Sequence, residues 1–119
     1  MGVAFYPRVE GIDDDWVRQI SGKSLAREYH RLNKLIKKDG FQDLWKFYVP
    51  DEEERNSKEQ EWFNPIEGIA VVEAMLKAIQ GEENNFERCE QLKEDLNNFR
   101  CILDRAAGLG KRWNLGMDC

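Results

Sequence analysis

The segment from Glu61 to Ile79, EWFNPIEGIAVVEAMLKAI, constrains this chain more than any other. Its apolar run closes nearly all the way round a helical wheel, with Glu73, Lys77 and Gln80 forming a narrow polar stripe. Such a helix has to be covered by other elements, and the sequence therefore places it at the centre of the fold. Glu67, Glu73 and Lys77 interrupt the run, which is too short and too broken to span a bilayer. Its start is well marked. Asn64 is an N-cap residue, Pro65 falls at the first helical position and Glu67 at the third, an Asn-type capping box. A cap of this kind contributes about 1 kcal/mol. Phe63 holds the position that staples onto the fourth helical residue, but that residue is Gly68, so Phe63 is expected to reach Ile69 or another element.

Two further helical patterns can cover the central one. In SGKSLAREYHRLNKLIKKDG, Leu25, Tyr29, Leu32 and Ile36 recur at helical spacing. Lys37 and Lys38 lie in the last turn and Gly40 is a left-handed stop, with Ser21 or Ser24 as the N-cap. From Asn84, with Glu87 three residues on as a second capping box, Phe86, Cys89, Leu92, Leu96, Phe99, Leu103 and Ala106 mark the longest helix, ending near Gly108. Its outer face mixes signs, as a solvated face does. Shorter elements complete the pattern. Asp13–Asp15 are first-turn acids for a short helix through Ile20, and FQDLWKFYVP suits a short helix capped near Asp43 and closed by Pro50. A charged connector, DEEERNSKEQE, follows.

The two ends read as strands. GVAFYPRVEG alternates weakly, and Pro7 confines it to an edge; KRWNLGMDC alternates Trp113, Leu115 and Met117 against Arg112, Asn114 and Gly116. Antiparallel pairing of the ends would give Val3, Phe5, Trp113, Leu115 and Met117 one shared apolar face. Two strands alone are marginal, so they have to pack on the helices or extend across a dimer. The expected fold is α+β and mostly helical, a single domain over residues 1–119. At this length and 41% hydrophobic residues, roughly two-thirds of the unfolded surface can be buried without metal or disulfide staples.

Several chemistries fail on spacing. The tripeptide GKS at Gly22–Ser24 would need a glycine at Val17 to make a phosphate loop. An EF-hand starting at Asp13 would need glycine where Arg18 stands and glutamate where Ser24 stands. Cys89, Cys101 and Cys119 show no C-x-x-C spacing, and His30 is the one imidazole, so no metal site of the common kinds is expected; Cys89 and Cys101 read as small core-facing residues. There is no serine-nucleophile elbow and no glycine-rich cradle, and His30 lies among cations with no acid to orient it. No catalytic residue and no cofactor are assigned. The N-terminus lacks a signal-peptide pattern and Tyr6 breaks the myristoylation pattern, so a cytoplasmic protein with no membrane attachment is expected.

Taken in order, the N-terminal strand, SGKSLA opening a helix, WFNPIEGIAVVEAML, and a long helix before KRWNLGMD resemble an uncharacterised family of small bacterial hypothetical proteins with no assigned activity. The resemblance implies an α+β fold and a bacterial cytoplasmic setting, and brings no site residues.

One feature is left over after these structural readings. The face of the 24–38 helix away from Leu25, Leu32 and Ile36 carries Arg27, His30, Arg31, Lys34, Lys37 and Lys38 within one sector, and no acid joins them. In a protein of net charge -5 this is a strong local asymmetry. The sequence reading is a non-catalytic interaction protein, an adaptor or immunity-like protein, that docks a protein partner or a second copy of itself through Arg27, Arg31, Lys34 and Lys38. A weak nucleic-acid binder is one alternative, disfavoured by the overall acidity. A small carboxylate-based enzyme with a Trp-lined pocket is the other, with Glu67, Glu73 or an Asp turned inward.

Overall fold

The computed structural model describes residues 3–12, 22–41, 43–50, 61–86 and 89–118. The elements run β1 (Ala4–Val9), α1 (Lys23–Lys38), a short 3-10 helix (Leu44–Phe47), α2 (Pro65–Gln80), a 3-10 turn (Glu83–Asn85), α3 (Cys89–Gly108) and β2 (Trp113–Asp118). This is the expected α+β architecture. The short helix expected through Ile20 and the charged connector lie outside the described residues.

The chain ends pair antiparallel, with Phe5 opposite Met117, Pro7 opposite Leu115 and Val9 opposite Trp113. Phe5, Pro7 and Val9 point inward, whereas Val3 is exposed instead of joining the apolar face. Pro7 needs no ladder donor because β1 is an edge. The second edge of β2 is also used, which answers the weakness of a two-stranded sheet. Val49 N–H donates to Leu115 O at 3.1 Å, and Phe63 and Trp113 exchange backbone bonds of 2.7 and 2.9 Å. The Asn114 amide, fully buried, donates to Glu61 O at 2.9 Å.

Trp113 is the centre of the core. Its ring lies 4.9 Å from Phe47 and meets Phe99 edge-on at 5.8 Å, and its Nε1–H donates to Asn64 O at 3.2 Å. Gly68 exists for this ring. A Cβ there would overlap Trp113 Cζ2 and come within 2.7 Å of Cε2. Phe63, denied a staple at Gly68, turns to Phe47 edge-on at 5.2 Å. At the start of α2 the Asn64 side chain accepts from Ile66 N–H at 3.0 Å, the Asn half of the expected box. The helix is less central than its composition suggests. It buries Val71, Val72, Met75 and Ile79 against α1 and α3 but leaves Ile66 62% exposed.

Two local expectations are corrected. Asn84 sits inside the 3-10 turn, and α3 begins at Cys89, so Asn84 does not cap it. Cys101 is exposed on α3, while Cys89 is half-buried against the core. Gly40 (φ 84°) stops α1 as anticipated, and α3 ends at Gly108 as expected, with Gly110 (φ 68°) left-handed just beyond it.

Candidate functional site: the outer face of α1

The start of α1 is built differently from the sequence reading. Ser24 lies within the first turn, Gly22 (φ 69°) is the N-cap and offers no side chain, and Ser21 lies outside the described residues. The cap comes from another helix. Asp95 of α3, buried, accepts from Ser24 N–H at 3.0 Å and from Leu25 N–H at 3.3 Å through one carboxylate oxygen. A carboxylate there faces the positive end of the helix. It also takes the N–H groups that a phosphate would need, so the GKS tripeptide is structural. Gly22 lets the chain touch β1: Phe5 N–H donates to Gly22 O at 3.1 Å, and a Cβ would run into Phe5 O.

Fixed at that end, α1 turns Leu25, Tyr29, Leu32 and Ile36 into the core and leaves Arg27, His30, Arg31, Lys34, Lys37 and Lys38 exposed. All four residues assigned to the docking face, Arg27, Arg31, Lys34 and Lys38, are therefore on one accessible surface. The face is not free of acid, as the sequence reading had it. Glu28, at its border and nearly buried, approaches Arg27 at 3.6 Å and Arg31 at 4.0 Å. Arg31 also lies 5.5 Å over the Phe86 ring. Lys34, Lys37 and Lys38 make no ion pair with a described residue. Towards the C-terminus of α1 the cationic character thus rests on lysines alone.

The other border of the strip is aromatic. Tyr29 is held by Asp43, to whose carboxylate its hydroxyl donates, and Asn33 Nδ2 donates to the second oxygen at 3.1 Å. The same Asp43 caps the 3-10 helix by accepting from Trp45 N–H at 2.8 Å. Burial, then the hydrogen bond to Asp43 and its negative charge, push the Tyr29 phenol well above its ordinary pKa. Around this clamp the rings of Phe5, Tyr29, Trp45 and His30 gather, with His30 5.1 Å and Trp45 6.4 Å from Tyr29. Trp45 stacks on Tyr48 at 4.1 Å and 11°. Phe41 is fixed to the end of α1 by its N–H bond to Ile36 O. Trp45 and Phe41 remain 40% and 38% exposed. Nothing in the spacing of FQDLWKFYVP marked Trp45 as outward-facing.

The two glutamates singled out for an enzyme do not turn inward. Glu67 and Glu73 are exposed on α2, and the buried Asp95 and Glu28 serve the helix cap and the arginines. Trp113 is fully buried in the core, and Trp16 lies outside the described residues. One shallow groove of about 400 Å³ runs beside Ile66, Ala107, Lys111 and Arg112, where Arg112 is tied to Glu10 at 2.6 and 3.0 Å. Among the described residues no His, Cys, Asp and Glu cluster is placed to hold a metal ion, and no helix is long and apolar enough to cross a membrane. Comparisons with protein-family models, with curated proteins and with solved structures found no match, so the surface itself supplies the functional argument.

Proposed function

We propose that this is a non-catalytic interaction protein that docks an acidic protein surface, another copy of the chain included, on the outer face of α1. The supporting observation is the segregation of charge: Arg27, Arg31, Lys34, Lys37 and Lys38 share one exposed face in a protein of net charge -5. Complementary potentials of this kind steer encounter and fix orientation. The double variant K34E/K38E reverses the face without touching the Glu28 pairs or the Arg31–Phe86 contact. Its stability should stay within about 0.5 kcal/mol of wild type. Pull-downs from the native lysate, with and without nuclease, should show nuclease-resistant bands that the double variant loses. Bands retained by the variant would refute the face as the site, and bands lost to nuclease would reassign it to nucleic acid.

A further inference from the structure

Resting on that reading, we propose that the docking face ends in an apolar anchor site formed by Trp45 and Phe41, and that the partner's segment is acidic with an aromatic or long aliphatic side chain set within it. Three observations tie these rings to α1 at the border of the strip. At about 100° per residue, Lys37 and His30 are the strip residues nearest the Tyr29–Asn33 flank of α1. His30 and Trp45 both contact the Tyr29 ring, at 5.1 and 6.4 Å. Phe41 is bonded to the last turn that carries Lys37 and Lys38. Trp45 is already ordered by its stack on Tyr48 and by the Asp43 cap, so its binding face needs little further ordering. Partly exposed Trp and Phe beside cations make an apolar centre with a charged rim, the pattern of interface hot spots.

Asn33 lies at the same border. Its Nδ2 is committed to Asp43, and its Oδ1 is buried with no hydrogen-bond partner among the described residues. Native folds rarely leave such an acceptor unmet. On the helical wheel Asn33 falls between Tyr29 and Lys37, at the seam between the aromatic group and the lysines. Charge selects the occupant: a cationic rim around an apolar centre fits a segment that carries acids on both sides of one large apolar residue.

The test is to pan a phage-displayed library of random dodecapeptides against the immobilised full chain, then measure a synthetic consensus peptide by fluorescence anisotropy. The expected consensus has Asp or Glu flanking a Trp, Phe or Leu. W45A should weaken that peptide at least tenfold, and F41S, a separate variant that leaves the Tyr48 stack in place, should weaken it severalfold. Both variants are checked for a wild-type melting profile. K34E/K38E should weaken it at least tenfold through the charged residues. An acidic consensus without an apolar residue, or one indifferent to W45A and F41S, overturns the anchor and leaves the charged face standing. An apolar consensus without acids, indifferent to K34E/K38E, overturns the docking face itself. Absence of any consensus, or stronger binding of a twelve-nucleotide single strand than of the best peptide, overturns both.

Discussion

Removal of the Asp95 carboxylate should be among the most damaging single changes to this fold. Asp95 is buried in α3 and holds two N–H groups of α1 that are themselves buried, at 3.0 and 3.3 Å. In Asp95→Ala both donors lose their partner without gaining water. Each buried donor left unmet costs about 1–3 kcal/mol, and loss of a helix cap costs about 0.5–2 kcal/mol; these overlap, so about 2–4 kcal/mol is expected in total. That is a large part of a domain stability of about 5–15 kcal/mol. Asp95→Asn keeps an acceptor of the same shape but removes the charge from the helix terminus and adds an amide needing its own acceptor, so it should lose about half as much. Urea unfolding checks the pair. The midpoint should fall in the order wild type, Asn, Ala with the slope unchanged, and the Ala variant should melt about 10–15 °C lower. Equal midpoints for Asn and Ala would mean the carbonyl oxygen is not an effective cap. Both at the wild-type value would refute the link between α3 and the start of α1.

Three more outcomes follow from the same geometry. Gly68→Ala places a methyl group against the Trp113 ring and should cost about 1–3 kcal/mol, as overpacked cores do, with altered Trp fluorescence reporting the displaced ring. The raised pKa of Tyr29 means that the fold prefers the neutral phenol. The stability this contributes is complete below the ordinary phenol pKa of about 10 and is lost as pH rises through the native value; a urea midpoint that falls above pH 10 in wild type and much less in Tyr29→Phe is the expected result. Asp43→Ser preserves a cap for the 3-10 helix but cannot serve Tyr29 and Asn33 together. It should loosen the Trp45 side of α1, seen as faster amide exchange at residues 43–48 with slower exchange retained in α2 and α3.

What could be read from the sequence was what depends on spacing along one element. The apolar rows of α1 and α3, the glycine stop at Gly40, the Asn64–Pro65 start of α2 and the pairing of the chain ends all follow from period and turn chemistry. The cationic face of α1 was legible for the same reason, since its cations recur on one helix. What escaped is carried by residues that serve two elements at once. Asp95 looks like one more polar residue of α3 until α1 is laid beside it. Asn84 has the letters of a cap, yet the chain first spends them on a 3-10 turn.

Asp43 divides along the same line. Its bond to Trp45 N–H spans two residues and was foreseeable; its grip on Tyr29 and Asn33 spans 14 and 10 residues and was not. That second grip holds the segment carrying Trp45 against α1 beside Tyr29, while Phe41 is held by its own bond to Ile36 O. A periodic pattern can therefore announce the charge of a docking face, whereas its apolar anchor depends on a tertiary clamp. For this chain the charged half of the proposed interface should tolerate any change that preserves the α1 helix, and the anchor half should fail whenever Asp43 can no longer hold α1.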